Sequence, residues 1–279
     1  MIFNSFVFWA FFALVLLIYA RLSHRYQNRF LLIASYFFYG YWDYRFLSLI
    51  AISTAVDYLL AIRLAMESRV GRRKLLVSIS IATNLCILAT FKYYGFFATE
   101  FNDLLLLVGL NSYLPMWQIV LPVGISFYTF QTLSYTIDVY RKTVEPERDF
   151  LDFALFVSFF PQLVAGPIER SSNLMPQIKS PRVVSVSDVQ TGIYLILFGL
   201  FHKVVIADNL AQIVNAVFDG GDDFSGTDRL LAIYAFAFQI YGDFAGYSMI
   251  AMGVARLLGV TLMWNFRMPY FSISPSEFW

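Results

Sequence analysis

The chain has 279 residues, of which 59% are hydrophobic, 19% aromatic and only 14% charged, with a formal net charge of +1. A soluble domain carries about 25% charged residues, whereas several apolar runs here exceed the ~18 residues that mark a membrane span. The near-neutral balance gives no cationic surface for nucleic acid, and the single cysteine, Cys86, excludes an internal disulfide and a cysteine metal cluster.

The first span is predicted over about Phe3–Ala20, with no basic residues before it and no small-residue cleavage site after it, so it is a retained helix and not a leader. Arg21, Arg25 and Arg29 follow, and the next basic cluster is Arg63, Arg69, Arg72, Arg73 and Lys74. If both clusters are cytoplasmic, the chain between them crosses an even number of times. Two short spans are predicted there, Phe30–Trp42 and Phe46–Ile62, turning around Asp43, Tyr44 and Arg45. A fourth span, Leu75–Phe97, carries Cys86 as an apolar packing thiol. It leads to Ala98–Gln118, which has acids but no Lys or Arg and suits the outer side.

Span five, Ile119–Tyr140, is unusually polar. At helical spacing Gln131, Ser134 and Asp138 share one face, while Ser126, Thr129, Thr132 and Thr136 line another. Phe156–Arg170 is apolar but broken by Pro161, Gly166 and Pro167. Irregular backbone cannot face lipid, so this piece is predicted as a re-entrant or interfacial segment buried in protein. Span six, Gly192–Ile206, leads to an acidic stretch, Asp208–Arg229, placed outside as a loop. The last span, Leu230–Leu258, returns the chain to the cytoplasm. The fold class is therefore an all-α polytopic membrane protein of about seven spans plus one re-entrant segment. Its amino terminus lies outside, and residues 1–279 form one membrane-embedded domain without internal repeats.

The last span holds a carboxylate, Asp243, near its middle, with Gln239 and Tyr247 one turn to either side. A charge at that depth costs a few kcal/mol, so Asp243 is expected to face a protein interior or a wet cavity. It could serve function, or it could be a buried structural aspartate bonded to a neighbouring helix through Gln131 or a tyrosine. Gly242 and Gly246 are expected to pack against another backbone. Gln131, Asp138, Gln162, Asp243, Tyr247 and Asn265 form the set of candidate substrate-tunnel residues, with inter-helix hydrogen bonding the plainer role for Gln131 and Asp138. Of the two histidines, His24 lies in a basic loop as a solvated side chain, and His202 suits a structural hydrogen bond or a headgroup contact. With no third histidine, a histidine metal centre is not expected. Phosphate-loop, dinucleotide, HExxH and GxSxG motifs are absent.

Five stretches carry a resemblance: LPVGISFYTFQTLSYTIDVYR (Leu121–Arg141), FVSFFPQLVAGPIER (Phe156–Arg170), GLFHKVVIADNLA (Gly199–Ala211), FQIYGDFAGYSMIAMGVARLLG (Phe238–Gly259) and NFRMPYFSISPSEFW (Asn265–Trp279). Together with the amino-terminal SYFFYGYWDYRFL, they resemble the membrane-bound O-acyltransferase family, in its bacterial branch that acetylates alginate and other exopolysaccharides. The resemblance implies the amino-terminal part of that fold in a bacterial inner membrane. It implies transfer of an acetyl or other acyl group from a cytoplasmic thioester, acetyl-CoA foremost, to a polysaccharide hydroxyl, with periplasmic acetyltransferase partners completing delivery and no bound cofactor or metal. A histidine base of near-neutral pKa would deprotonate the hydroxyl, and a dry channel would protect the thioester. In the family that histidine lies beyond the position of Trp279, and neither His24 nor His202 sits in a matching motif. The 279 residues are therefore expected to hold no catalytic residue and to be inactive alone. A non-catalytic scaffold of an export complex and a transporter using Asp243 are the competing expectations.

Overall fold

The computed structural model describes residues 1–110, 115, 117, 119–164 and 166–278. Among them there are helices and connecting segments but no strand. The first helices are α1 (Phe6–Tyr19), α2 (His24–Asp43), α3 (Leu47–Met66), α4 (Val70–Leu88) and α5 (Tyr94–Leu107). Then come α6 (Ile125–Tyr140), α7 (Phe150–Ser158), α8 (Phe160–Leu163) and α9 (Ser171–Lys179). The chain closes with α10 (Val186–Leu200), α11 (Asp208–Asp219), α12 (Gly226–Leu257) and α13 (Pro275–Phe278). Two wide π-turns, Ala89–Tyr93 and Phe201–Ala207, join α4 to α5 and α10 to α11 without a break. Among the described residues, three continuous helical stretches are long and apolar enough to cross a membrane: His24–Met66, Val70–Leu107 and Val186–Asp219.

The predicted turn between the second and third spans is present. Asp43 accepts from the Arg45 backbone N–H and pairs with its guanidinium at 2.6 Å, closing the bend between α2 and α3. The span before it is longer than predicted, because polar His24–Arg29 form its first turns instead of a loop. Ala98–Gln118 also differs from expectation: α5 carries the helix on to Leu107, and residues 111–114, 116 and 118 lie outside the described set. The acidic loop placed at Asp208–Arg229 is helical over its first half. Its aspartates hid a spacing in which Val214 and Val217 pack inward.

Buried aromatics from α1, α2 and α8 pack together in the core, with the Phe38 ring contacting both Phe8 and Phe160. The segment predicted to be re-entrant is broken at Phe159, and Phe153–Leu163 are buried. Of that segment, residue 165 is outside the described set. Ser35 of α2 secures the break, accepting from the Phe160 N–H at 3.1 Å. Gly124 meets it from the other side in a left-handed turn (φ 76°), where a Cβ would lie 2.6 Å from the Leu163 carbonyl. Only glycine satisfies both demands there.

Arg73 ties together two helix ends. Its guanidinium donates to the carbonyls of Leu64 on α3 and Tyr140 on α6, the latter at 2.7 Å. Those carbonyls have no partner within their own helices, and a cation is favoured at that end of the dipole. At the same side, Tyr19 donates to the Leu258 carbonyl at 2.7 Å, joining α1 to the end of α12.

Candidate functional site

Helix α10 starts from a capping box, in which Ser185 and Asp188 satisfy each other's backbone N–H groups. It runs antiparallel to α12 with very close backbone approach. A Cβ on Gly253 would lie 2.5 Å from the Gly192 carbonyl, and one on Gly246 would lie 2.8 Å from that of Gly199. At Gly242 the same construction meets the His202 carbonyl at 3.2 Å. Small residues here admit the neighbouring main chain.

The π-turn Phe201–Ala207 decides the chemistry. On a regular α-helix, residues five apart point in different directions. The wider i→i+5 turn brings them into line. Lys203 accordingly reaches Asp208 Oδ1 at 2.8 Å, and across the helix pair it reaches Asp243 Oδ1 at 2.7 Å. Its ammonium also sits 5.4 Å from the centre of the Tyr247 ring. One cation is thus shared by two carboxylates, giving a triad of net charge −1. Lys203 is 14% exposed, while Asp208 and Asp243 are 44% and 46% exposed.

On the other side of the α10–α12 contact from the triad, the two helices and the chain that follows α12 form a half-open cavity of about 820 Å³, lined by none of Lys203, Asp208 and Asp243. Tyr194, Phe198, Tyr241, Trp264 and Phe266 line it, together with His202. The His202 ring stacks edge-on against Phe198 at 4.7 Å, and its Nδ1 is buried without a hydrogen-bond partner among the described residues.

The predicted tunnel residues separate into two groups. Gln131 donates to the Phe156 carbonyl at 2.5 Å and accepts from Gln162, which bonds the broken α7–α8 pair to α6. Asp243 belongs to the Lys203 triad and the Tyr247 ring packs against its ammonium, and no hydrogen bond connects either to Gln131 among the described residues. The two groups are nonetheless neighbours, since Phe127 of α6 contacts Phe244 of α12 at 6.1 Å. Asp138 is in neither group: it is half-buried at the end of α6, where its carbonyl accepts from Thr143. Asn265 is exposed on the segment after α12. His24 is half-buried in the first turn of α2, not solvated in a loop, and Cys86 faces outward from α4.

Sequence reasoning missed a second membrane-depth carboxylate. Asp57 of α3 is 0% exposed and accepts from Ser80 and from Asn84 Nδ2 at 2.7 Å, both on α4, and from Thr136 of α6 at 3.4 Å. Ser53 and Thr132 donate in turn to Asn84 Oδ1 at 2.9 and 3.2 Å. The signal was present, since Asp57 interrupts ISTAVDYLLAI just as Asp243 interrupts its own span. Lys203 and Asp208 were also passed over, because their alignment depends on a π-turn that no local pattern announces.

Residues 36–279 match the membrane-bound O-acyltransferase family, MBOAT. The chain belongs to this family. It is 38% identical to the probable alginate O-acetylase AlgI of Pseudomonas aeruginosa, over all of this chain and 54% of that protein. It is 32% identical to the peptidoglycan O-acetyltransferase of Helicobacter pylori, over 89% of this chain and 51% of the relative. A teichoic acid D-alanyltransferase of Bacillus subtilis is 28% identical over 59% of this chain and 42% of its own length. The chain thus spans about half the length of the curated relatives it matches. The π-turn, the triad and the aromatic cavity all lie inside the MBOAT match.

Proposed function

We propose that this MBOAT chain forms walls of a membrane O-acyltransferase that moves an acetyl or related acyl group from a cytoplasmic thioester donor, such as acetyl-CoA, to a polysaccharide hydroxyl. The observation that carries this reading is the half-exposed Lys203–Asp208–Asp243 triad between two long helices of the MBOAT match. A fixed cation can stabilise the oxyanion that forms at an acyl carbon, and the aromatic cavity on the other side of α10 and α12 offers apolar surface away from water. The half-exposed carboxylates of Asp208 and Asp243 can accept hydrogen bonds from an incoming hydroxyl.

In this reading Gln131 and Gln162 hold the re-entrant break in place, and Tyr247 seats Lys203. Asp138 and Asn265 remain tunnel candidates only at its two approaches. Histidine supplies the base in the family, and neither His24 nor His202 is assigned that part. The 279 residues alone are therefore expected to transfer no acyl group. The remaining proposals are one membrane-embedded domain, an inner-membrane location with the amino terminus outside, and polysaccharide delivery through periplasmic acetyltransferase partners.

The test uses the chain in membranes with radiolabelled acetyl-CoA, alone and together with the second half of an MBOAT relative. Label transfer to polysaccharide only in the combined sample, and its loss with Lys203→Met, supports the reading. Transfer by the 279 residues alone would overturn the expected inactivity. Export of unmodified polysaccharide that depends on the chain, with no label transfer in either sample, would favour the scaffold.

A further inference from the structure

Val70–Leu107 is one continuous helical stretch of 38 residues. At 1.5 Å per residue it amounts to roughly 57 Å of helix, nearly twice the thickness of a hydrocarbon core. Its first part, α4, fills that thickness alone. The bonds from Ser80 to Asp57 and from Ser53 to Asn84 fix α4 beside α3 in an antiparallel register. One end of the pair carries Arg72, Arg73 and Lys74. At the other end the rings of Phe46 and Phe91 lie 6.0 Å apart, next to the Asp43–Arg45 turn. From Lys74 to Phe91 the rise is about 26 Å. Helix α5 therefore starts where the hydrocarbon ends.

The junction carries the residue types of a membrane–water boundary. Lys92 sits 5.3 Å from the centre of the Tyr93 ring, the Tyr94 hydroxyl donates to the Pro115 carbonyl at 2.6 Å, and the Tyr94 ring stacks on Trp117. At Tyr93, the last residue of the π-turn, φ swings to −117°, and π-turns are where long helices change direction. Beyond it α5 has two sides. At helical spacing Tyr94, Phe97, Phe101 and Leu104 share one, and Thr99, Glu100 and Asp103 share the other, which Phe96 and Leu107 interrupt near its ends. Phe97, Phe101 and Leu104 are 61%, 46% and 55% exposed, and with Tyr94 they line a shallow groove of about 430 Å³. Helix α5 makes its main packing contacts with the π-turn at its own base. Gly109 (φ 78°) ends it, and the Leu110 N–H donates back to the Leu105 carbonyl at 2.9 Å. Its 14 residues are too few for a second crossing.

We propose that α5 is an in-plane lipid anchor: it lies in the leaflet remote from Arg72–Lys74, with Phe97, Phe101 and Leu104 among the acyl chains and Glu100 and Asp103 toward water. Its depth selects lipid as the occupant. The apolar side begins at the hydrocarbon edge and continues the membrane-facing side of α4, where Leu75, Ile79 and Leu85 are exposed along the crossing. Tyr94 belongs to the groove and to the boundary pair with Trp117, so the groove opens at interface level. A helix standing in water would leave the groove bare, and one sunk in the core would carry Glu100 and Asp103 into hydrocarbon. The polar side has acids and no cation, so apolar area and not attraction to anionic lipid holds the helix. Through the Phe46–Phe91 contact the anchor fixes the level of the far ends of α3 and α4. The inference does not depend on which acyl group the protein moves.

The experiment places spin labels on the full chain in phosphatidylcholine vesicles, one at a time, in a Cys86→Ser background. Phe97→Cys, Phe101→Cys and Leu104→Cys should collide readily with oxygen and little with a water-soluble nickel complex, and Thr99→Cys and Asp103→Cys should show the reverse. Labels at Phe97→Cys and Leu104→Cys should sit at one depth, whereas an upright helix would separate them by about 10 Å. High nickel collision on the apolar side, low collision there with both reagents, or high oxygen collision at Thr99→Cys and Asp103→Cys overturns the proposal. These outcomes mean a helix in water, a protein cover and a sunken helix, respectively. The oxygen value at Phe97→Cys should not change when Glu100→Gln and Asp103→Asn are added, or when phosphatidylglycerol replaces part of the lipid. Dependence on either one means a charge-held partner and refutes an apolar anchor. The unsubstituted chain gives a reading free of folding effects: a lipid with a diazirine on its acyl chain should label Phe97, Phe101 or Leu104 on irradiation. Adducts on α4 with none in Tyr94–Leu107 would overturn the proposal.

Discussion

Two carboxylates at membrane depth are handled in opposite ways. Asp57 is closed: α3, α4 and α6 supply neutral donors from Ser80, Asn84 and Thr136, and it has 0% exposure. Asp243 is open: a cation holds one of its oxygens, and its side chain stays 46% exposed. A buried ion without a counter-charge is tolerated only when its hydrogen bonds are complete, so the first site acts as a knot between helices. The second keeps acceptors open to its surroundings, which is what chemistry or a partner requires. The difference teaches that an aspartate inside a span does not mark function by its presence. Its partners do.

The comparison breaks most readily at the knot. Asp57→Ala leaves the Ser80 and Thr136 hydroxyls and one Asn84 N–H buried without an acceptor, and should cost about 3 kcal/mol or more. Thermal unfolding of the detergent-solubilised protein, followed by size exclusion, should show a large drop, and an unchanged midpoint would dissolve the knot. Next in size is the glycine track: Gly253→Ala meets the Gly192 carbonyl, and Gly246→Ala meets that of Gly199, each costing about 1–3 kcal/mol by overpacking. The same melting assay reads both. Removing the shared helix-end clasp with Arg73→Met should cost about 1.5–3 kcal/mol, because two helix ends lose a charged donor. Protease susceptibility at the α3–α4 and α6–α7 connections should rise with it.

Asp243→Asn sharpens the contrast from the other side, since a half-exposed ion pair contributes under about 1 kcal/mol. Its melting midpoint should barely move, while any acyl transfer falls. A large melting shift would make Asp243 a second Asp57. The smallest effect is a pH response at the α3–α4 connection. The Arg69 backbone N–H, with Arg72 nearby, holds the half-buried Glu67 carboxylate below the usual carboxylate range. A depressed pKa contributes order that is present above the ordinary value and is lost as pH falls through the lowered one. Amide exchange of Arg69 should therefore quicken only in acid, and an equal change near neutral pH would refute this source.

Much of the fold was legible without coordinates. The basic clusters at Arg21–Arg29 and Arg63–Lys74 flank the helices α2 and α3, and Pro161 with Gly166 and Pro167 announces the broken α7–α8 segment. Gln131 and Gln162 could be named as candidates, but nothing local said that they bond to each other. Asp243 was singled out, whereas Lys203 was passed over as the neighbour of a more conspicuous histidine, and Asp208 was taken for a loop acid.

Composition and periodicity determined that this protein is helical and lives in a membrane, because burying apolar area and satisfying the backbone inside hydrocarbon leave few other choices. The motifs determined its family. Only tertiary structure decided which carboxylate is sealed and which is open. That outcome depends on a π-turn bringing residues five apart into line, and on glycines letting α10 and α12 approach until Lys203 spans both helices. Spacing along one chain records neither distance.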